Sequence, residues 1–129
     1  MQISDQIVLV TGGARGLGLA ITQALIAEGA RVVVNYFSSK DQAEALEQAY
    51  PEQVFSHQAD VTNKEQVNQL FVAAKAHFGS AISSVVNNAL IDFKFNGDAR
   101  PKVEDLTQSM MTEQFNGAVL GALNTTQAA

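Results

Sequence analysis

The segment Thr11-Gly12-Gly13-Ala14-Arg15-Gly16-Leu17-Gly18 is the first place where residue types and spacing suggest chemistry. Glycines crowded into one turn let the backbone bend sharply and let a bulky anion approach it closely. If a helix begins there, its unbonded N–H groups and its dipole favour a phosphate or diphosphate. The same glycines could serve conformation alone, as a bare turn between a strand and a helix. A P-loop is excluded, because no Gly-Lys-Ser/Thr stands at the required spacing. Arg15 places a guanidinium inside the turn, able to pair with a further phosphate, against the plainer reading of a solvated loop charge.

The surrounding elements suit that chemistry. Ile7-Val8-Leu9-Val10 reads as a strand buried on both faces, ending at the glycines. Gly16 to Glu28 reads as a helix, with Leu17, Ala20, Ile21, Ala24 and Leu25 at steps of three and four, and Gly29 at its C-cap. Arg31 to Asn35 is a second buried strand. Ser39-Lys40-Asp41-Gln42 has capping-box spacing and opens a polar helix that stops before Pro51. Val54 to His57 is a weaker third strand. Thr62-Asn63-Lys64-Glu65 is another capping box, heading a helix with Val67, Leu70, Phe71, Ala74 and Phe78 on one face. Gly79 ends that helix, and Ile82 to Val86 is a fourth strand. A loop from Ile91 to Lys102 carries the turn signal Asn96-Gly97-Asp98, and a last helix starts near Thr107. Strands and helices alternate throughout, which predicts a parallel sheet with right-handed crossovers.

Composition narrows the class. The chain has 129 residues, 47% hydrophobic and 16% charged, enough for one domain with a real core. Its net charge of -5, with no basic cluster, argues against a nucleic-acid partner. The absence of cysteine excludes a disulfide framework and a thiolate metal site. No stretch approaches the ~18 apolar residues of a membrane span, and the start does not read as a signal peptide. The expectation is a cytoplasmic protein without a membrane partner. His57 and His77 stand on different elements without ligand spacing, so they read as strand packing and a charge at a helix C-terminus. Met110, Met111 and Phe115 read as packing residues. Phe93 and Phe95 stand where a substrate would enter, though burial explains them equally well.

Spacing of the form Thr-Gly-x-x-x-Gly-x-Gly resembles the fingerprint of the short-chain dehydrogenase/reductase family. Two further motifs are similar and in register. Asp60-Val61, just after the third strand, resembles the pair that holds the adenine ring through a carboxylate and a backbone group. Asn87-Asn88-Ala89 resembles Asn-Asn-Ala-Gly after the fourth strand, whose second asparagine lies along the cofactor. Within the family the chain looks most like 3-oxoacyl-(acyl-carrier-protein) reductases. The resemblance implies an α/β fold: a Rossmann-type doubly wound parallel sheet with strand order 3-2-1-4, as a single dinucleotide-binding domain over residues 1–129. It implies a cofactor site formed by Gly12, Ala14, Arg15, Gly16, Leu17, Gly18, Asn35, Tyr36, Ser38, Asp60, Val61, Asn88 and Ala89.

About twenty residues after the glycine turn, an NAD-selective domain places an acid on the ribose hydroxyls. Here Val34-Asn35-Tyr36 holds none, and Arg15 and Ser38 suit a 2′-phosphate, which predicts NADP(H), with Lys40 a weaker contributor. Tyr36-x-x-x-Lys40 literally matches the family's catalytic Tyr-x-x-x-Lys. It is rejected, because it lies in the turn after the second strand and no helix phases the two side chains. The family's Ser and Tyr-x-x-x-Lys lie on the fifth strand and the helix after it. The expectation is therefore an N-terminal half with no catalytic residue of its own. Two departures bear on the chemistry. Leu90 replaces the glycine of Asn-Asn-Ala-Gly. A gapless match on Gly121 and Thr126-Gln127-Ala128 puts the family's fourth catalytic residue, an asparagine, on Ala118. Asn116 is two residues away, about 200° around a helix, so an altered proton relay is the favoured reading and a local shift that restores Asn116 the other.

The resulting expectation is an NADPH-dependent oxidoreductase of the carbonyl or 3-oxoacyl reductase type, represented by its cofactor-binding half. Its partner would be a small-molecule carbonyl substrate, and the last helix implies a homo-oligomer. The alternative is a non-catalytic NADP-binding or interaction module from an interrupted reading frame.

Overall fold

The computed structural model describes residues 1–90 and 100–129, so Phe93, Phe95 and the Asn96-Gly97-Asp98 turn lie outside the described residues. Four parallel strands, β1 (Ile7–Val10), β2 (Arg31–Tyr36), β3 (Val54–Gln58) and β4 (Ser84–Val86), form a sheet in the order β3-β2-β1-β4. Between them run α1 (Gly16–Ala27), α2 (Lys40–Ala49) and α3 (Lys64–Phe78); α4 (Gln108–Phe115) and α5 (Gly121–Ala128) follow. This is the parallel sheet that the alternation of elements predicts, in the Rossmann-type order 3-2-1-4 that the resemblance implies.

The pleat explains the two cores. Successive strand residues point to opposite faces. Val8, Val10, Val32, Val34 and Val54 therefore pack against Ile26 of α1 and Ala43 of α2. Ile7, Leu9 and Val33 face the other way, onto Leu70 and Ala74 of α3. Each fully buried aliphatic side chain contributes roughly 1.5–3 kcal/mol, so β1 and β2 anchor both layers. Right-handed crossovers then place α1 and α2 on one face and α3 on the other. At the outer edge, the Ser56 N–H of β3 donates to Glu47 Oε2 at 3.0 Å, so an acid from α2 occupies part of that edge.

Several local details differ from the sequence reading. α1 buries Gly18, Thr22 and Ile26, while Leu17 is exposed. Small residues let this helix lie close to the sheet, so its buried stripe is not its most apolar one. Ser39 sits at the N-cap of α2 but makes no capping hydrogen bond. The N-cap of α3 is Asn63, one residue past Thr62, and its side chain accepts from Gln66 N–H at 3.1 Å. Thr107 does cap α4, accepting from Met110 N–H at 3.3 Å. The last helix is interrupted: residues Asn116–Leu120 form a π turn between α4 and α5. Met110, Met111 and Phe115, expected to pack, are exposed, as are Val119 and Leu123.

Candidate functional site

The site is built where the carboxyl ends of β1, β2 and β4 meet. Thr11, almost fully buried, joins two of them. Its hydroxyl accepts from the N–H of Asn88 (2.9 Å) and of Ala89 (3.0 Å), and its own N–H donates to Val86 O at 3.0 Å. Gly12 follows at φ +62°, a left-handed conformation that favours glycine. Its N–H donates to Asn35 Oδ1 (3.2 Å), and Gly13 N–H donates to Asn35 O (3.0 Å). From above, the Asn88 side-chain amide donates to Thr11 O (3.1 Å) and Gly12 O (3.3 Å). From below, the Thr22 hydroxyl donates to Gly13 O at 3.0 Å. The polar backbone of this turn is thus largely bonded internally, which makes the turn rigid.

What remains open is the start of α1. The N–H groups of Gly16, Leu17 and Gly18 have no partner among the described residues, as the first amides of a helix should not. Gly16 has nothing within 4 Å of an added Cβ, so that side of the turn is free. Gly18 is the opposite case: a Cβ there would meet Gly12 O at 2.0 Å and Asn88 Nδ2 at 2.6 Å. The helix rests directly on the turn, with its first three amides left without partners among the described residues. This arrangement fits a diphosphate.

Among the expected cofactor residues, Asn35 has its side chain fully engaged within the fold. It is only 2% exposed, its Oδ1 holds Gly12, and its Nδ2 donates to Ala59 O at 3.0 Å. It therefore ties the turn to the sheet and does not present its side chain to a ligand. Tyr36, the last residue of β2, is half-buried and packs against the first core. Ser38 and Arg15 are exposed, and the register Val10↔Val34 puts their two loops at the same end of the sheet. No acidic residue stands from 35 to 38. Lys40 is exposed and 3.8 Å from Glu44, an i,i+4 surface pair. Tyr36 ends a strand and Lys40 begins α2, so no helix presents the two together.

Asp60 and Val61 follow the carboxyl end of β3, across β2 from the glycine turn. Asp60 Oδ1 accepts from Thr62 N–H (2.9 Å) and Thr62 Oγ1 (2.7 Å); its other carboxylate oxygen has no partner among the described residues. The Val61 carbonyl accepts from Asn124 Nδ2 of α5 at 2.9 Å. One residue on, Thr125 Oγ1 donates to Asn87 Oδ1 at 2.6 Å. Ala14 is buried in the first core, and Leu90 is half-exposed beyond Ala89.

In the sequence Thr11 and Gly121 stood out only as parts of motifs, with no role of their own, and Thr22, Asn124 and Thr125 had no role assigned. Their shared signal is a small or short polar residue interrupting an apolar stripe, which a count of hydrophobic positions discards. Asn116 shares a shallow depression with Gln108, Thr112 and Glu113, while the residues of α5 that reach the site are Gly121, Asn124 and Thr125. Asn116 and Ala118 are both exposed, with buried Gly117 between them. The histidines pack around Phe55. His77 stacks on Phe55 with centroids 4.5 Å apart, and His57 lies 5.9 Å from the same ring. Among the described residues no group of His, Asp and Glu could hold a metal ion, and no helix is long and apolar enough to cross a membrane.

Comparison with known proteins adds an independent line. The family model described as short chain dehydrogenase matches residues 6–129. An uncharacterised oxidoreductase of Methylorubrum extorquens is 35% identical over 131 residues, covering 99% of this chain and 50% of that protein. The 3-oxoacyl-[acyl-carrier-protein] reductase MabA of Mycobacterium avium is 35% identical over 122 residues, covering 95% of this chain and 42% of that protein. Among solved structures, a blue fluorescent protein from a metagenomic library, crystallised with NADPH, matches with a TM-score of 0.80 at 30% identity, covering 100% of this chain and 51% of that one. The chain spans about half the length of the relatives it matches, and the match falls on their N-terminal half.

Proposed function

The chain belongs to the short-chain dehydrogenase family, and on that premise we propose that it is the NADP(H)-binding half of a carbonyl reductase of the 3-oxoacyl type. The observation that carries this reading is the rigid glycine turn with free amides at Gly16, Leu17 and Gly18. These amides would hold the diphosphate, Asp60 and Val61 the adenine, and Asn88 and Ala89 the stretch toward the nicotinamide. When bound, the reduced cofactor supplies hydride to a carbonyl carbon. The residues of this chain bind and orient; the family's Ser and Tyr-x-x-x-Lys would stand beyond position 129. A small-molecule carbonyl substrate, a homo-oligomeric enzyme and a cytoplasmic location complete the proposal.

The preference for NADP(H) rests on charge. Without a carboxylate at 35–38, nothing there repels a 2′-phosphate, and exposed Arg15 can pair with it. Titration with NADPH and with NADH, followed by nicotinamide fluorescence, tests this. Arg15→Ala is expected to weaken NADPH about tenfold, the effect of one lost charge-assisted contact, and to leave NADH unchanged. A folded chain that binds neither nucleotide, or that prefers NADH, overturns the reading.

A further inference from the structure

We infer that Asn124, on α5, is a positioning residue that fixes the adenine wall without touching the cofactor. The inference rests on the proposed assignment of Asp60 and Val61 to the adenine. Those residues lie past the end of β3, so no strand ladder holds them. The preceding residue, Ala59, is bonded to β2 through Tyr36 O and the Asn35 amide. Asp60 is held from the α3 side, where its N–H donates to Gln66 Oε1 at 2.8 Å. Val61 is held from α5, where Asn124 Nδ2 donates to Val61 O at 2.9 Å, across 63 residues of sequence.

Two further features make this contact specific. Asn124 is 3% exposed, so its amide is committed to the interior of the fold. One turn earlier, an added Cβ on Gly121 would lie 3.0 Å from Val61 Cγ2, so the helix approaches Val61 as closely as a residue without a side chain allows. Glycine brings α5 onto the wall, and Asn124 sets its height by holding the carbonyl. Removing that donor leaves the Val61–Thr62 peptide free to rotate, and with it the Thr62 N–H that holds the Asp60 carboxylate.

The test compares NADPH with 2′,5′-ADP, which carries the adenylate and 2′-phosphate but no nicotinamide. Asn124→Leu is expected to weaken both ligands equally, by about tenfold, because the whole effect lies in the adenylate. Asn124→Asp, which keeps the shape but loses the donor, reads the same comparison if Asn124→Leu does not fold. The stability control is Gln53→Ala. The Gln53 amide donates to Ile26 O and Ala30 O at the opposite end of the sheet, so its loss should lower the melting temperature with no change in affinity. Unchanged affinities in the Asn124 variants overturn the inference alone, as does a loss confined to NADPH or one shared by Gln53→Ala. An unaltered chain that binds neither ligand overturns the proposed function and this inference with it.

Discussion

Gly18→Ala is expected to abolish measurable NADPH binding and to destabilise the chain by about 3 kcal/mol, the upper range for an overpacked buried site. The reason is geometric. The new Cβ would stand 2.0 Å from Gly12 O and 2.6 Å from Asn88 Nδ2, and the first of these is backbone. No side-chain rotation relieves such a contact, so α1 must lift off the turn. Lifting it would move the free amides of Gly16, Leu17 and Gly18 away from the diphosphate and strain the Asn88 bonds to Thr11 and Gly12. Gly16→Ala is the informative contrast. It has open space around the Cβ but a φ of +56°, so it costs about 1 kcal/mol in backbone strain and displaces no neighbour. Thermal unfolding and fluorescence titration of both variants separate the two mechanisms. Gly18→Ala retaining NADPH affinity within threefold would show that the close packing of helix on turn is not what shapes the site.

The layout of the sheet was legible because its evidence is redundant. Ile7 to Val10 and Val32 to Val34 are uninterrupted apolar runs, as strands covered on both faces must be, and four alternating elements admit few topologies. The glycine turn was legible because strand, glycines and helix occur in an order that chemistry requires. What escaped depends on single-residue phase. In α1 the buried stripe Gly18, Thr22, Ile26 is less apolar than its neighbour, because close packing selects small residues there. In α3 the cap moved from Thr62 to Asn63, whose Oδ1 accepts from Gln66 N–H, while the Thr62 hydroxyl donates to Asp60. The π turn at Asn116–Leu120 adds a shift that no periodicity of 3.6 can anticipate. Asn35 was readable in principle: the pleat puts it on the same face as Val33, pointing inward. The resemblance placed it in the cofactor site without saying which way its side chain points.

That inward placement yields the second large effect. Asn35→Ala removes the acceptor for Gly12 N–H and the donor for Ala59 O, and leaves both of these groups without a side-chain partner. An unsatisfied buried group costs about 1–3 kcal/mol, so a loss of roughly 2–4 kcal/mol is expected for the pair. The pattern across ligands matters more than the size. A residue that touched the 2′-phosphate would, when removed, weaken NADPH, spare NADH and leave the melting temperature alone. A residue that props the glycine turn should lower the melting temperature and weaken both nucleotides together, since both place the same diphosphate on the same amides. Asn35→Asp sharpens the distinction. It keeps an oxygen for Gly12 N–H but sets its second oxygen against the Ala59 carbonyl, so it should fail to restore either stability or binding. Were Asn35→Asp instead to bind NADH more tightly at unchanged stability, residue 35 would face the ribose after all, and the inward orientation of its side chain would be wrong.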